Sequence, residues 1–259
     1  MARPRKIDQI AVLPKGGNVT MHNSLVNASH GLNLGEKRLV SMAVAKLSPR
    51  AAALPGKPIK ILAVDFADQF GVDVDTAHEQ LLDAQENLFQ RYITHMEYFG
   101  ANGQRVRVSK IRWVSSIHYE KGAGEVSLAF APEIAPLLVQ LKKHFTSYQL
   151  SKAAALRSTY SWRLFENLER FRDTGVWEVD VERFHTIMET PKTYRKNFAQ
   201  LRRFVIDPAI SELAAKTNID AEVETIRRGR KIARLRFKFD SASQMALPLD
   251  TDTKELANA

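Results

Sequence analysis

The sequence predicts an α+β protein made of two winged-helix domains in tandem, and three observations lead to this prediction. Two stretches of the chain each show the order helix, short strand, helix-turn-helix and β-hairpin. The turns between the extended runs contain glycine, as hairpin turns commonly do. The net charge of +9 is concentrated in the second half, which indicates an anionic partner for that half.

Composition limits the classes of protein to which the chain can belong. Its 259 residues are 44% hydrophobic and 26% charged, which suits a globular chain with a sizeable core. The sequence has no apolar run of the roughly 18 residues that a membrane span needs, and no signal-peptide core. We therefore expect a cytoplasmic protein without a membrane partner. The absence of cysteine excludes disulfides, thiol nucleophiles and cysteine-ligated zinc.

Charge and pattern together predict the domain limits. Residues 151–240 carry 19 basic and 13 acidic groups, a net charge of +6. We expect residues 1–20, at +3, to be a flexible basic arm, and residues 241–259 to be a disordered acidic tail. Between them we predict a first winged-helix domain over 21–147 and a second over 148–240.

In the first half, a core-facing helix is predicted to begin at Asn33, with Glu36 as its partner in a capping box. After a loop, Asp65 is the expected N-cap of a short helix, and a second helix over about 76–91 completes a helix-turn-helix. The extended runs that follow should form hairpins, one of them the wing: 92–99, 106–118 and 125–130.

The second half repeats this plan. One long helix is predicted over 151–175 and closed by Gly175, and Asp180 is the expected N-cap of the next, shorter helix. A longer helix should then span about 193–206, with one apolar and one basic side, and a kink or restart is expected at Asp207 because Pro208 follows it. Two alternating runs joined at the sequence RRGR then form the second wing. Four aromatic residues are predicted to pack in the core rather than to stack on bases: Trp162, Phe165, Phe171 and Trp177.

Two blocks of the sequence resemble signature segments of the replication initiators of iteron-containing plasmids: MHNSLVNASHGLNLGEKRLVSMAVAKL and YSWRLFENLERFRDTGVWEVDVERFHTIMETPKTYRKNFAQLRRFVIDPAISELAAKT. The likeness runs from about Asn23 to Phe239. It implies a protein that binds double-stranded origin repeats as a monomer, promotes opening of the origin, and recruits the host initiator and the replicative helicase. It also implies a dimer, formed through the first domain, that represses its own gene at an inverted repeat.

The resemblance also implies that the second winged helix is the principal reader, with Tyr194–Ile206 as its reading helix. Candidate DNA-binding residues lie on the side of this helix that points away from the core, because long donors read base edges and cations neutralise phosphates. This set is Lys192, Tyr194, Arg195, Lys196, Asn197, Gln200, Arg202 and Arg203. The tip of the second wing adds Arg227, Arg228, Arg230 and Lys231. The first domain offers the strand residues Arg105, Arg107, Lys110 and Arg112. Its own reading helix is acidic, so Thr76, His78 and Gln85 are weaker candidates. An ordinary solvated basic face is the alternative interpretation.

Enzymatic motifs are missing from the sequence, so we expect no catalytic residues, no metal and no cofactor. The segment HEQLL at 78–82 lacks the second histidine of a zinc protease, and PGKP at 55–58 lacks the flanks of a phosphate loop. Two other functions stay open. A dimeric repressor would bind one inverted repeat without initiating replication, and a rolling-circle nicking enzyme would form a metal-dependent covalent adduct with DNA.

Overall fold

The fold consists of two winged helices that share one continuous hydrophobic core. The computed structural model of the protein describes residues 17–99, 105–120 and 122–241. Within these ranges, no helix is both long and apolar enough to cross a membrane. The predicted basic arm and acidic tail lie mostly outside the described residues. The predicted arm extends too far, because a β-strand begins at Asn18 and residues 18–20 belong to it.

The first winged helix is formed by three helices and a three-stranded antiparallel sheet. In chain order this part contains β1 (Asn18–His22), α1 (Asn23–Val26), α2 (Leu34–Ala45), β2 (Ile59–Leu62), α3 (Ala63–Phe70), α4 (Val74–Leu88), β3 (Tyr92–Phe99), β4 (Arg105–Arg112), β5 (Val114–Glu120), β6 (Glu125–Phe130), α5 (Ala135–Leu138) and β7 (Phe145–Gln149). The sheet order is β2-β6-β5, and α2, α3 and α4 pack on it. The wing is therefore the β5–β6 hairpin.

The predicted start of α2 is confirmed in detail. The side-chain oxygen of Asn33 accepts a hydrogen bond from the Glu36 backbone N–H at 2.8 Å, and the Glu36 carboxylate accepts one from the Asn33 N–H at 2.8 Å. Both bonds satisfy N–H groups that have no partner in the first turn of a helix. Glu36 is fully buried and also pairs with Arg91, 3.0 Å away, which ties the segment between α4 and β3 to the start of α2.

Two predictions in the first domain are wrong. Helix α3 begins at Ala63 with Leu62 as its N-cap, so Asp65 lies in its first turn instead of capping it. The extended run 106–118 is not one strand, because the buried Trp113 interrupts it and turns the chain from β4 to β5. Strands β3 and β4 consequently form a separate two-stranded sheet, inserted between α4 and the wing.

The second winged helix repeats the arrangement. Its elements are α6 (Leu150–Ala154), α7 (Thr159–Arg170), β8 (Val176–Asp180), α8 (Val181–Ile187), α9 (Lys192–Arg195), α10 (Phe198–Leu201), a π-helical turn (Arg202–Ile206), α11 (Asp207–Thr217), β9 (Ile219–Arg228) and β10 (Lys231–Ser241). The sheet order β8-β10-β9 matches β2-β6-β5, with the last strand in the centre of each sheet. Two domains of one plan were predicted, and the strand order confirms them.

The long helix predicted over 151–175 is in fact two helices. The chain leaves helical geometry after α6, and the Ser158 side chain then caps α7 by accepting a hydrogen bond from the Tyr160 N–H at 3.2 Å. The N–H of Arg157 in this break is satisfied by the Glu212 carboxylate at 2.7 Å. Helix α7 ends at Arg170 with Phe171 as its C-cap, and Gly175, at a φ of +65°, closes the following turn instead of the helix.

The predicted reading helix is also interrupted. Helix α9 ends before Asn197, whose side chain caps α10 by accepting a hydrogen bond from the Gln200 N–H at 3.2 Å. The kink or restart expected at Asp207 takes the form of a π turn just before Pro208, through which the helix continues into α11. Proline has no N–H to donate to the preceding turn, and a π turn relaxes the hydrogen-bond pattern there.

Helix α7 lies at the junction of the two domains and is buried along almost its whole length. Its Trp162 and Phe165 are fully buried, which together with the buried Trp177 confirms the predicted core role of these aromatic residues; Phe171 packs against the core at its edge. On the side facing the first domain, Glu166 pairs with Lys37 at 2.7 Å and accepts a hydrogen bond from the Tyr148 hydroxyl at 2.7 Å. Burial lowers the pKa of Lys37, and the charge of Glu166 opposes that shift.

The buried pair of Lys37 and Glu166 yields a prediction on stability. Lys37→Met leaves the Glu166 charge buried without its cation, so the free energy of unfolding should fall by about 3–5 kcal/mol. The double variant Lys37→Met/Glu166→Leu removes both charges, so its free energy of unfolding should fall by less than that of Lys37→Met. Urea unfolding of the three proteins measures both effects, and equal losses in the two variants would contradict the assigned pairing.

A second prediction concerns the pH dependence of stability. Burial, with the charges of Arg163 and Lys37, holds the pKa of His30 well below its ordinary value of 6.5. The unfolded chain therefore binds more protons than the folded one below about pH 6.5, and stability falls as the pH drops, by up to about 1.4 kcal/mol per pH unit. Urea unfolding between pH 5 and 7 should show a shallower pH dependence for His30→Asn. An identical dependence in both proteins would contradict this role of His30.

Candidate DNA-binding surface

A groove of about 690 Å³ lies between α9 and the tip of the β9–β10 hairpin. Its walls contain residues predicted from two separate parts of the sequence. From the reading segment come Tyr194, Arg195 and Lys196, and from the wing come Arg227, Arg228, Arg230 and Lys231. The structure thus brings the two predicted sets together across one concave surface, which we call the wing groove.

Most cations of this surface have no ion-pair partner. Arg195 pairs with Glu182 at 3.4 Å across the wing groove, and Arg202 pairs with Asp207 at 3.1 Å beside it. Both pairs are exposed, so they are weak and can exchange for a phosphate. Within the described part of the chain, seven exposed cations of this surface carry no ion pair: Lys192, Lys196, Arg203, Arg227, Arg228, Arg230 and Lys231. This surface can therefore bind a polyanion at little electrostatic cost.

The two predicted amide residues, Asn197 and Gln200, differ in how much of each side chain is free to contact a ligand. The side-chain oxygen of Asn197 is occupied by its cap on α10, so only its amide nitrogen stays available to a ligand. Gln200 is exposed on the next turn, on the same segment as Arg203. An exposed amide can read adenine and an exposed arginine can read guanine in a major groove. Of these two amides, Gln200 is thus the one placed to read a base with both ends of its side chain.

Phe204 is a feature of this surface that sequence reasoning missed. Its ring is 48% exposed and stacks on Tyr194, with ring centroids 5.9 Å apart and planes inclined by 17°. The guanidinium of Arg203 lies 5.3 Å from the Phe204 ring centroid. The sequence held one signal, since Leu201 and Val205 already fill the core-facing positions and leave Phe204 outside them. An exposed apolar ring among cations can contact a thymine methyl group.

The basic strand residues of the first domain lie on the inserted β3–β4 hairpin. The guanidinium of Arg112 donates to the Phe89 carbonyl and lies 5.1 Å from the Phe89 ring centroid. The Lys110 ammonium lies 4.6 Å from the Tyr92 ring centroid. Both cations are exposed, as is Arg107, while the side chain of Arg105 lies outside the described residues. These cations supply a second, smaller basic surface.

Helix α4 of the first domain offers little to a polyanion. Its exposed side carries four carboxylates: Asp75, Glu79, Asp83 and Glu86. The Thr76 hydroxyl donates to Asp73 at 2.6 Å within the helix cap, and the His78 Nδ1 is hydrogen-bonded to the Tyr119 hydroxyl at 2.9 Å. Gln85 is half-buried. Two of the three weaker candidates are therefore engaged in contacts within their own domain.

Comparison with known protein families shows the family to which the chain belongs. Residues 18–169 match the family model described as "Initiator Replication protein, WH1", and residues 180–239 match "Initiator Rep protein, WH2". The chain belongs to the family of initiator replication proteins. The first match includes α6 and almost all of α7, and the second begins where β8 ends and α8 starts. The two matches are to tandem winged helices, as the sequence predicted.

Individual relatives of the initiator are distant but extend over most of its length. A replication initiation protein of Escherichia coli is 24% identical over 243 residues, 90% of this chain and 73% of the relative. An "Uncharacterized 27.6 kDa protein" of Escherichia coli is 23% identical over 220 residues, 82% of this chain and 90% of the relative. The crystal structure of the Pi initiator protein in complex with iteron DNA aligns with a TM-score of 0.71 and 22% identity, covering 87% of this chain and 98% of that one. This last likeness shows a shared fold.

The wing of the second domain leads to a prediction on salt dependence. Arg228 and Arg230 have no ion pair among the described residues, so each is free to neutralise one phosphate. In Arg228→Ala/Arg230→Ala the slope of log affinity against log salt should become less negative by about 2, for specific and nonspecific DNA alike. Fluorescence anisotropy at several salt concentrations measures this slope. The matched control, Lys142→Ala/Lys143→Ala, removes two exposed charges of the first domain and should leave the slope unchanged.

Proposed function

We propose that this chain is a plasmid replication initiator that binds direct repeats of double-stranded DNA at an origin, with the second winged helix as the main reader. The observation that carries this proposal is the wing groove, where a broken reading helix and a hairpin tip present unpaired cations to one ligand. A helix in the major groove with a wing on the flanking backbone fits that shape. The Pi initiator, which shares this fold, was crystallised with iteron DNA, and this supports the choice of ligand.

The contrast between the domains supports binding of one monomer to each repeat. The acidic α4 is unsuited to a phosphate-lined groove, whereas Lys110 and Arg112 on the inserted hairpin suit contact with the backbone. We propose that the second domain reads bases in one major groove while this hairpin holds the neighbouring turn. A repeat of roughly 20 base pairs, about two helical turns, would be covered by one monomer.

We also propose the further steps of initiation that the family resemblance implies. Monomers bound at adjacent repeats would strain and open the duplex and recruit the host initiator and the replicative helicase. A dimer would repress its own gene at an inverted repeat. We propose that the protein acts in the cytoplasm, where plasmid DNA lies, and without a catalytic step of its own.

The first test is a footprint on DNA flanking the gene, with the wild type and with Arg195, Lys196, Arg202 and Arg203 all changed to alanine. The wild type should protect several regularly spaced direct repeats, and the variant should protect none at the same concentration. A single arginine that reads guanine accounts for about 1–3 kcal/mol, so Arg203→Ala alone should weaken binding measurably. The control variant Lys142→Ala/Lys143→Ala should retain the full footprint.

Three other outcomes would contradict the proposal in different ways. Protection of one inverted repeat only, with no effect on duplex opening, would identify a dimeric repressor. A covalent adduct with DNA that requires a divalent metal would identify a nicking enzyme. An unchanged footprint in the quadruple variant would show that the reading surface lies elsewhere in the chain.

A further inference from the structure

Glu189 makes an unusual set of contacts between the two domains. It lies in the turn that follows α8, three residues before Lys192, where α9 begins. Its Oε1 accepts hydrogen bonds from the Ser29 hydroxyl at 2.7 Å, the His30 N–H at 2.5 Å and the Gly31 N–H at 2.8 Å. Three donors from one loop of the first domain therefore converge on a single carboxylate oxygen of the second domain.

The second oxygen of Glu189 fixes the other side of the junction. It pairs with the Arg163 guanidinium of α7 at 2.6 Å. Arg163 is buried, donates to the Ile187 carbonyl at 2.6 Å, and also donates to the His30 Nδ1 at 3.0 Å. These contacts tie the end of α8 to α7 and to the loop of the first domain. We call the group of Ser29, His30, Gly31, Arg163 and Glu189 the junction clasp.

The backbone of Glu189 indicates that this geometry is imposed by its surroundings. Its φ is +51°, in the left-handed region that residues other than glycine rarely adopt. Such a conformation persists only where neighbouring contacts determine it. Here those contacts are the hydrogen bonds and the ion pair of the Glu189 carboxylate. A glycine would adopt this φ with less strain, but it could not make these contacts. The side chain, rather than the backbone, explains why glutamate suits this position.

The junction clasp connects both candidate DNA-binding elements. On one side, the chain passes from Glu189 through Thr190 and Pro191 directly into α9. On the other, the Ser29 carbonyl accepts a hydrogen bond from the Thr94 N–H at 3.1 Å, at the base of the β3–β4 hairpin. A displacement of Glu189 would therefore move the wing groove relative to the basic hairpin of the first domain.

We propose that Glu189 is a positioning residue for DNA binding, whose carboxylate fixes the distance and angle between the wing groove and the basic hairpin. This inference rests on the proposed function, because it presumes that both surfaces contact one DNA repeat. Two rigidly held surfaces bind as a preassembled pair, and the second contact then forms at a high effective concentration. The affinity for DNA should consequently depend on the distance between the two parts of the repeat that the two surfaces contact. A junction clasp that holds the surfaces rigidly predicts this dependence.

The test varies the DNA as well as the protein. Affinity is measured by fluorescence anisotropy for one repeat and for the same repeat with 5 base pairs, about half a helical turn, inserted between its protected halves. For the wild type the insertion should weaken binding by at least about 30-fold, since one contact is lost. In Glu189→Gly the intact repeat should bind about 10-fold or more weakly, and the insertion should cost no more than about 3-fold.

Two controls separate positioning from folding. Asn218→Gly makes the same kind of change at another residue of positive φ, at the end of α11, and should keep the wild-type response to the insertion. Ser29→Ala removes one donor of the junction clasp and leaves the buried Arg163 paired, so it keeps the proposal testable if Glu189→Gly does not fold. In Ser29→Ala the 5-base-pair insertion should weaken binding clearly less than it does in the wild type.

The outcomes distinguish this inference from the proposed function. If the wild type protects no direct repeats, the proposed function itself is wrong. If the wild type binds a repeat but loses nothing on insertion, or if the glycine and alanine variants both retain the full penalty, Glu189 does not position the two surfaces. We expect Glu189→Gly to lose nearly all of the spacing dependence while it keeps the circular dichroism spectrum of the wild type.

Discussion

Two ion pairs with buried cations, at the junction of the domains, constrain the rest of the structure. Lys37 pairs with Glu166, and Arg163 pairs with Glu189, each pair joining α7 to a different neighbour. A charge inside a protein needs its partner close by, because separation leaves it unpaired in a medium of low dielectric constant. Helix α7 therefore cannot move with one domain and leave the other. The two winged helices are held as one unit, although each has its own sheet.

One architecture serves two electrostatic roles in this chain. Both domains have the same strand order and a helix-turn-helix before the wing, yet α4 exposes carboxylates where the segment around α9 and α10 exposes cations. Hydrophobic positions set the shared fold, and the exposed positions between them are free to differ. The two domains thus combine one shared strand order with opposite charge on the corresponding exposed surfaces. The first domain contributes cations from its inserted hairpin instead.

Local signals in the sequence predicted those features that depend on local physics. The capping box at Asn33, the charged tip of the second wing and the buried aromatic residues of α7 all follow from spacing and residue type. The break before α7 did not, because it depends on Glu212, far along the chain, which satisfies the Arg157 N–H. The contacts of Glu189 could not be predicted either, since its four donors come from two distant segments. The split at Trp113 likewise reflects a tertiary contact, the burial of its ring.

The π turn before Pro208 shows how the core and the reading surface depend on each other. The helix must continue into α11, because Ala209 and Leu213 on α11 are buried in the core. Pro208 cannot supply the hydrogen bond of a regular helix, so the preceding turn widens. Within that turn Arg202, Arg203 and Phe204 are exposed in succession while Val205 and Ile206 are buried. The same proline that disturbs the helix thus accompanies the exposure of three consecutive candidate contacts, and a core requirement sets the local geometry of the candidate DNA-binding surface.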